Sequence, residues 1–370
     1  MSFEPDEDQQ ELVALLRDVL GQRADSAATR KALHSAKRFD TELWRLLGEE
    51  IGIAGLAVPE ELGGAGYSLR EAQLVLEELG ASLAPTPYLG SVAIAAQAII
   101  ASDDADAIER LLPGIVDGSS SAALAWADPA GRYAPEQVDV RAAQNGDAWA
   151  LTGTCGYVLD GMIADVIITI AQTDDGPRLF EVLDVDAVTR TDVETMDQTL
   201  RLAMLRFDGT PARALGTEDP AVLDQVRAIA LAAVSAVQAG TAARALTMTV
   251  EYSLQRVQFG RQIGSFQAIK HRLADMHVQA EIARTASRAA SAALAEGAAD
   301  RFELATIAKA TCSEALSHIA SEMIQLHGGI AITWEHDAHL VFKRAHALGQ
   351  LFGTAREQRA NAEGWALARL

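Results

Sequence analysis

Cysteine, aromatic residues and positive charge are all scarce in this chain, and each shortage excludes a class of protein. Two cysteines, Cys155 and Cys312, lie far apart, which argues against a disulfide framework or a cysteine metal cluster and fits a reducing cytoplasm. Aromatic residues make up 5% of a composition that is 49% apolar, a balance typical of long packed helices. Lysine and arginine number 31 against 51 acidic residues, so nucleic acid and anionic membranes are poor partners.

Targeting signals and long hydrophobic runs are missing as well. The acidic start MSFEPDEDQQ has no basic stretch followed by an apolar core, so the sequence predicts no signal peptide. The apolar run over 228–237 is too short to cross a bilayer. With 370 residues the chain can bury a large core and form two or three domains. We therefore expect a soluble, cytoplasmic, multidomain protein.

Three zones of the chain differ in their hydrophobic pattern. Residues 1–118 show helical periodicity in segments near 5–22, 40–51, 68–80, 89–101 and 104–113, which proline and glycine separate. Residues 119–215 contain short apolar or alternating runs that predict strands: SAALAW, AWALTGTCGYVLDG, DVIITIAQ, RLFEVLDV and LAMLRFDG. Residues 216–370 return to helical periodicity, with long segments over 221–253, 266–297 and 301–327. The pattern predicts an α+β protein with an N-terminal helical domain, a middle β domain and a C-terminal helical bundle.

One N-terminal segment, SLREAQLVLEELG, carries the usual signals of a helix start and a helix end. Ser68 is the predicted cap, and Glu71 stands three residues on as its capping-box partner. Gly80 is the residue predicted to end the helix.

The first candidate ligand site is RVQFGRQIGSFQAIKHRLADM, between two predicted long helices. Arg256 ends the first helix, Phe259 and Gly260 make a turn, and the next helix starts at Ser265 or Phe266, with Ser265 as its predicted N-cap. An arginine fork suits a pyrophosphate, and the free N–H groups of a helix start suit a phosphate. The alternative is a solvated charge before an ordinary turn.

The second candidate site is IQLHGGIAITWEHDAHLVFKRA, at the end of the last long helix. Gly328 and Gly329 close that helix and let the backbone approach a ligand, or they form an ordinary C-cap. Gln325 lies on the last turn, where its amide reaches the same place. A metal site would have to use the run Glu335, His336, Asp337 and His339. Without further convergent ligands we predict no metal there, and helix capping and subunit packing are the alternative role.

Together the two stretches resemble the acyl-CoA dehydrogenase family, and the resemblance covers nearly the whole chain. It implies a helical N-terminal domain, a middle domain like a β-barrel and a C-terminal four-helix bundle. In that family the R-x-x-F-G turn and the Q-x-x-G-G loop contact the pyrophosphate and adenosine of an FAD that the neighbouring subunit mainly holds. The residues that match are Arg256, Gln258, Phe259, Phe266, Gln267, Gln325, Gly328 and Gly329. Gln258 departs from the pattern, since the family usually has Ser or Thr there.

The segment that holds the flavin ring in the family is the first major departure. The family has C/A-x-T-E-P-x-x-G-S, whereas this chain has ALAWADPAGRYAPEQVDV, in which only Asp128 and Pro129 match in part. The following WALTGTCGYVLDG keeps Trp149 and the glycines of the β framework. Tyr157 stands where the family usually has a flavin-stacking tryptophan, and it either packs on a ring or belongs to the β core.

The catalytic base is the second departure. Most members place a glutamate twenty-seven residues after the glutamine of Q-x-x-G-G, which is Phe352 here, with Gly353 and Thr354 still in register. A minority use a position that matches Ala230, yet residues 227–238 contain no carboxylate. The other carboxylates considered lie away from both places: Asp224, Glu251 and Glu357. The sequence therefore predicts no catalytic residue in this chain.

The resemblance implies a division of labour between two kinds of subunit. Some members form heterotetramers, with two copies of each of two subunit types, in which one type supplies the glutamate. The last stretch is similar to a bacterial branch that acts on bulky acyl-CoA substrates, including steroid side chains. This chain resembles the subunit without the base, with electron-transfer flavoprotein as the acceptor. Two alternatives stay open: a self-sufficient homotetramer with a relocated base, and a non-catalytic protein that binds FAD or acyl-CoA.

Overall fold

A computed structural model of the protein describes residues 4–146 and 148–368. The chain divides into two compact units. The first combines Met1–Lys31, Gln73–Ala84 and Val234–Leu370, and the second combines Ala32–Ala72 and Pro85–Ala233. Neither unit is continuous in sequence, because the chain leaves the first unit and returns to it twice. The domain boundaries expected at residues 118 and 215 stay a prediction.

Short helices and turns make up the N-terminal part of the chain. They are α1 (Glu7–Arg23), α2 (Ser26–Leu33), α3 (Thr41–Arg45), α4 (Leu69–Ser82), α5 (Gln97–Ala101) and α6 (Ala105–Val116), with π-helical turns at Leu46–Glu50 and Tyr88–Ala96. The periodicity predicts all of these helices except α2. That helix has 8 residues, too few to show a helical period in the sequence.

Helix α4 begins as the sequence predicts and ends differently. The Glu71 carboxylate accepts hydrogen bonds from the Ser68 N–H at 2.8 Å and from the Ser68 hydroxyl at 2.7 Å, as in a capping box. Gly80 does not end the helix, which continues for two more residues. A Cβ atom at Gly80 would lie 3.0 Å from the Cα of Val237, on a later helix. This glycine therefore allows two backbones to approach instead of terminating a helix.

The middle of the chain forms a β domain whose strand pairings close on themselves. The strands are β1 (Ala122–Ala125), β2 (Arg141–Asn145), β3 (Ala148–Leu159), β4 (Val166–Thr173), β5 (Gly176–Val182), β6 (Thr189–Asp192) and β7 (Leu202–Ala214). Their order is β1-β4-β2-β3-β7-β5, with β6 paired to β7. Because β5 pairs with both β7 and β4, five strands form a closed circuit, which confirms the barrel-like middle domain.

The core of the β domain is apolar and takes residues from most strands. Phe180 and Leu205 are fully buried, and the Trp149 ring meets Phe180 edge to face with 5.2 Å between the ring centroids. The sequence did not predict β2 or β6. Their residues, RAAQN and TRTD, show almost no apolar alternation, so only pairing with neighbouring strands reveals them.

Long helices dominate the C-terminal part. They are α7 (Ala221–Gln255), α8 (Gln267–Ala295), α9 (Arg301–His327), α10 (Ala338–Gln350) and α11 (Ala355–Ala368). Helix α9 packs against α8, α10 and α11. Gln238 of α7 donates a hydrogen bond to the Ser313 hydroxyl of α9 at 3.0 Å. These contacts confirm the predicted helical bundle.

Helix α7 is the one described helix that is long and apolar enough to cross a membrane by length and composition. Yet 89% of its most apolar stretch is buried inside the protein. A helix that is apolar on all sides and buried in this way is typical of a protein core.

Candidate functional site

A tight hairpin follows α7 and carries the first candidate stretch. Strands β8 (Val257–Gln258) and β9 (Arg261–Gln262) pair antiparallel. Phe259 and Gly260 have φ angles of 53° and 76°, both positive as the inner residues of a type I′ turn require. The turn leaves the Phe259 side chain 93% exposed, and Arg256 is exposed beside it. The hairpin therefore presents an aromatic ring and a guanidinium outward.

Helix α8 begins later than predicted and without the predicted cap. Its first residue is Gln267, and the N-cap is Phe266, which makes no side-chain capping hydrogen bond. Ser265 is not the cap, because its hydroxyl donates to the Gln262 carbonyl at 2.7 Å inside the hairpin. The Arg261 guanidinium stacks over the Phe266 ring at 4.0 Å from its centroid. The first turn of α8 thus has no side-chain cap, although the Ile269 and Lys270 N–H groups donate to the Phe266 carbonyl at 3.1 Å.

The end of α9 carries the second candidate stretch. Gln325 is exposed on the last turn, whereas His327 is 3% exposed. Gly328 has a φ angle of 66°, which favours glycine, and it ends the helix. A Cβ atom at Gly328 or Gly329 would meet nothing within 4 Å. Packing within the chain does not explain these glycines, so open space lies beside this backbone.

A stack of aromatic rings brings the ends of α7 and α9 together. Tyr252, one turn before Arg256, stacks on His327 with 4.4 Å between ring centroids and an interplanar angle of 25°. His327 in turn packs against His336 at 4.6 Å. The stack therefore places the end of α7, which leads into the hairpin, next to the end of α9, which leads into the Gly328 loop. Sequence reasoning missed Tyr252 and His327, although each lies within four residues of a motif residue.

Burial disfavours the charged form of both His327 and His336. Burial lowers the pKa of His327, and a hydrogen bond between its Nδ1 and the Met323 carbonyl, 2.8 Å apart, partly opposes this shift. Burial also lowers the pKa of His336. In addition, the His336 Nδ1 accepts a hydrogen bond from the Ala338 N–H, the first residue of α10, at 3.1 Å. The Asp337 carboxylate is paired with the Arg30 guanidinium at 2.6 Å. Among the described residues, no three His, Cys, Asp or Glu side chains group as metal ligands would.

Phe352, at the position where a base is expected, lies in a buried and ordered loop. The residue is 4% exposed and has a φ angle of 56°, a left-handed conformation uncommon for a large side chain. Its carbonyl accepts a hydrogen bond from the Gln358 amide at 2.8 Å. The next carbonyl, that of Gly353, accepts from the Lys309 ammonium at 3.1 Å. Two buried donors from two helices therefore hold this loop.

The other carboxylates considered as bases are engaged elsewhere or face solvent. Glu357 is exposed, and its carboxylate accepts from the Thr354 N–H at 2.7 Å and hydroxyl at 2.9 Å as the capping box of α11. Asp224 and Glu251 are exposed on α7, and Ala230 is fully buried in that helix.

The turn after β1, which departs from the family's flavin-binding segment, is closed on itself. The Asp128 carboxylate accepts from the Ala130 and Arg132 N–H groups at 2.9 Å each and from the Arg132 guanidinium at 2.6 Å. Burial opposes ionisation, but these donors outweigh it and lower the pKa of Asp128. A Cβ atom at Gly131 would lie 3.2 Å from the Tyr157 ring. Tyr157 is 37% exposed at a bulge of β3, so the core position considered for it is wrong.

Two family models match most of the chain. The N-terminal domain of acyl-CoA dehydrogenase matches residues 6–119, and the C-terminal domain of acyl-CoA dehydrogenase matches residues 228–364. The second match contains the hairpin, the Gly328 loop and Phe352.

Individual proteins resemble the chain over its whole length. The acyl-CoA dehydrogenase IpdE2 of Mycobacterium tuberculosis is 40% identical, with 98% of both chains covered. The solved steroid ACAD Tcur3481–Tcur3483 is 33% identical with a TM-score of 0.89 and 98% of both chains covered. The ChsE4–ChsE5 complex from Mycobacterium tuberculosis is 30% identical with a TM-score of 0.89 and covers 100% of both chains.

Proposed function

The chain belongs to the acyl-CoA dehydrogenase family, and on that premise we propose that it is the subunit without a catalytic base in a heteromeric, FAD-dependent acyl-CoA dehydrogenase. A second type of subunit, similar to this chain but with a glutamate at the position of Phe352, would remove the α-proton of the substrate. This chain would supply the surface that holds one end of the cofactor.

Phe352 is the observation that carries the proposal. Proton abstraction needs a basic group within reach of the substrate α-carbon, and a phenyl ring has none. The loop around Phe352 is nevertheless buried and held by Gln358 and Lys309. A loop that is well ordered but lacks the reactive group fits a subunit with a supporting role.

The exposed surface at the ends of α7 and α9 fits the pyrophosphate and adenosine end of FAD. Arg256 offers a planar set of donors, and the start of α8 offers N–H groups with no side-chain cap. Gly328 and Gly329 leave room for close approach, and Gln325 adds an exposed amide. When bound, FAD accepts the hydride that leaves the substrate β-carbon. Since every one of these groups points outward, they suit a cofactor held mainly by another subunit.

The chain's own flavin-ring segment supports the same division of labour. Asp128 is engaged by its own turn through Arg132, and Tyr157 packs beside Gly131 in that turn. Neither the threonine nor the glycine–serine pair of the family's segment is present to bind a flavin ring.

The comparison with similar proteins supports a proposal for the substrate and for the assembly. We infer a bulky acyl-CoA, such as a steroid side-chain thioester, because a similar solved protein is a steroid ACAD. We infer a heterotetramer with two copies of each subunit, because another is a complex of two different chains. Electron-transfer flavoprotein would be the acceptor, and the cytoplasm the location.

Expression alone and with a partner tests the assembly. The partner is a related chain that carries glutamate at the position of Phe352. We expect this chain alone to be free of flavin and inactive, and the co-expressed pair to form a yellow complex that reduces a dye with acyl-CoA. A yellow homotetramer that turns over acyl-CoA by itself would establish the self-sufficient alternative. A yellow complex without turnover would favour the non-catalytic binding alternative.

Replacing Arg256 with alanine tests the cofactor surface. Loss of a charge-assisted hydrogen bond costs about 1.5 kcal/mol, so FAD should bind the complex about tenfold more weakly. Dialysis followed by the ratio of flavin to protein absorbance measures the effect. Arg356→Ala is the matched control, since that arginine is exposed on α11. Equal flavin retention in both variants would show that Arg256 does not bind the cofactor.

A further inference from the structure

Three aromatic rings meet where helices α7 and α9 end, and each ring comes from a different segment of the first unit. Tyr252 stacks on His327, and the His336 ring lies 4.6 Å from the His327 centroid and 6.3 Å from the Tyr252 centroid. The Arg256 N–H donates to the Tyr252 carbonyl at 2.8 Å, and Gly328 follows His327 directly. The three rings therefore form the junction between the two stretches to which we assign the cofactor surface.

The hydrogen bond of His327 fixes which of its ring nitrogens carries a proton. Its Nδ1 lies 2.8 Å from the Met323 carbonyl, which only accepts hydrogen bonds, so Nδ1 is the protonated nitrogen of the neutral ring. Its Nε2 is buried and has no hydrogen-bond partner among the described residues. A second proton on Nε2 would be a buried donor without an acceptor, which the stacked arrangement disfavours.

The hydrogen bond of His336 fixes the opposite tautomer. Its Nδ1 accepts from the Ala338 N–H at 3.1 Å, so the neutral ring carries its proton on Nε2. A proton on Nδ1 would turn this atom into a donor and break the hydrogen bond at the first residue of α10. Each histidine can therefore become positively charged only by losing a hydrogen bond or by leaving a donor without an acceptor.

Burial and neighbouring cations both oppose a positive charge on the stack. Burial lowers the pKa of His336, Asp337 raises it, and Arg30 of α2 and Arg244 of α7 lower it further. Burial also lowers the pKa of His327, and the neighbouring His336 adds to that shift. Asp337 is itself paired with Arg30 at 2.6 Å, so it does little to offset a new positive charge.

Helix α10 adds one more cation and one more histidine near the stack. His339 meets the Trp334 ring edge to face, with 4.5 Å between the ring centroids. Burial lowers the pKa of His339 to about 4, and the neighbouring Lys343 contributes to this shift. His339 therefore stays neutral between pH 5 and pH 8 and does not titrate together with His327 and His336.

We propose that Tyr252, His327 and His336 position the cofactor surface, and that they do so only while both histidines are neutral. Protonation of either histidine separates the rings, and the ends of α7 and α9 are then no longer held together. FAD bound across the two stretches is released as a result. This inference rests on the proposed cofactor contacts, and the three residues are positioning residues because they act through Arg256 and Gly328.

The direction of the pH effect follows from proton binding. Below pH 6.5, the usual pKa of histidine, the separated rings bind protons more readily than the stacked rings do, because stacking lowers both pKa values. The stacked state is thus fully favoured above pH 6.5 and becomes less favoured as the pH falls. Histidines that bound the pyrophosphate themselves would have the opposite effect, since their positive charge would tighten FAD binding in acid.

Flavin binding by the assembled complex at pH 8 and at pH 5 tests the proposal. We expect the unaltered complex to bind FAD at least about fivefold more weakly at pH 5, as typical coupling between two sites produces. His327→Phe keeps an aromatic ring, and His336→Asn keeps an acceptor for the Ala338 N–H, but neither new side chain takes up a proton. Each substitution should reduce the pH dependence and both together should remove it, with FAD binding at pH 8 unchanged.

The control is the same aromatic substitution elsewhere on α9. His318 is exposed, so His318→Phe should keep the full pH dependence of FAD binding. An equal loss of affinity in the double variant and the unaltered complex would overturn the proposal. Tighter FAD binding at pH 5 than at pH 8 would also overturn it, because the histidines would then bind the cofactor directly.

Amide hydrogen exchange distinguishes a failure of this proposal from a failure of the proposed function. Exchange of residues 328–340, corrected for its intrinsic pH dependence, measures the opening of the stack without relying on the cofactor. Protection should fall at pH 5 in the unaltered complex and persist in the double variant. A complex that binds no FAD at pH 8 would refute the cofactor contacts, whereas equal protection at both pH values in the unaltered complex would refute the acid-sensitive stack.

Discussion

Replacing Gly240 with alanine should destabilise the protein by about 3 kcal/mol, because helices α4 and α7 touch backbone to backbone there. A Cβ atom at Gly240 would overlap the carbonyl oxygen of Glu77. The same crossing is held by the Thr241 hydroxyl, which lies 3.0 Å from the Gly80 carbonyl. A methyl group at Gly240 must therefore push the two helices apart. The helices are buried here, so no flexible side chain can move aside to make room.

Thermal unfolding of the assembled complex, followed by circular dichroism, measures this effect. A loss of about 3 kcal/mol should lower the midpoint by about 4 °C in a chain of 370 residues, because the entropy of unfolding grows with chain length. The matched control is Gly349→Ala in α10, where a Cβ atom would meet nothing within 4 Å. That substitution should stabilise the protein by about 0.5–1 kcal/mol, since glycine is costly inside a helix. Similar midpoints for the two variants would show that α4 and α7 are not in close contact at Gly240.

The free energy of unfolding should rise by about 3 kcal/mol between pH 8 and 10.5 because of Lys309, and replacing Lys309 with methionine should remove this rise. Lys309 is fully buried, and its ammonium donates to the Ser313 hydroxyl at 2.9 Å and to the Gly353 carbonyl at 3.1 Å. Among the described residues, no carboxylate pairs with it directly. Burial lowers the pKa of Lys309 to about 8, although the nearby Cys312 and Glu357 partly oppose this shift. The charge is thus costly to keep below pH 8.

The direction of the pH effect follows from proton binding. Between pH 8 and the usual lysine pKa of 10.5, the folded protein holds fewer protons at this site than the unfolded chain. The contribution of Lys309 to the free energy of unfolding therefore rises with pH through that window. Below the window, the buried charge destabilises the folded protein by the full amount. A pKa that is lower by 2.5 units, from 10.5 to about 8, corresponds to about 3 kcal/mol. Lys309→Met has no such group and should show no rise from it.

At neutral pH the same substitution should be close to neutral in stability. It removes the cost of the buried charge, but it leaves the Gly353 carbonyl without its donor. The Ser313 hydroxyl keeps the hydrogen bond from Gln238. An unmade buried hydrogen bond costs about 1–3 kcal/mol, which offsets the gain. Urea unfolding at several pH values measures the free energy of unfolding of both proteins. As the pH rises above 8, the free energy of unfolding of the unaltered protein should increase relative to that of Lys309→Met.

A surface lysine provides the control for this series. Lys270 is exposed on α8, so Lys270→Met should follow the unaltered protein at every pH. A parallel pH dependence in Lys309→Met and the unaltered protein would contradict the assignment, because the titrating group would then lie elsewhere. Because Lys309 donates to the Gly353 carbonyl, this test also examines the loop that contains Phe352.

Local signals along the chain predicted much of the secondary structure. The capping box at Ser68 and Glu71 forms as expected, because both partners lie within one helical turn. The long helices α7 and α9 follow from apolar periodicity, which needs only neighbouring residues to be recognised. Local rules failed where a residue has two common roles. Gly80 fits a helix end and also a helix crossing, and Ser265 fits an N-cap and also a hairpin hydrogen bond.

The sequence likewise predicted some features of the candidate site and missed others. The two motif stretches identify Arg256, Gln325 and the glycines by residue type and order alone. Their junction through Tyr252 and His327 was not predictable, because a ring stack joins residues that are far apart in sequence. The donors that hold the Phe352 loop were missed for the same reason: Lys309 is an ordinary helix residue until its surroundings bury it.

Residue identity and periodicity by themselves determined most of the elements, except α2, β2 and β6, and which chemical groups are available. They also determined that no carboxylate stands at Phe352 or within 227–238, because a missing side chain is a property of the sequence. Only the tertiary structure decided that Phe352 is buried in a held loop while Phe259 is exposed on a hairpin. The physical reason is that burial and hydrogen bonding depend on distant segments packing together, and no local pattern contains that information.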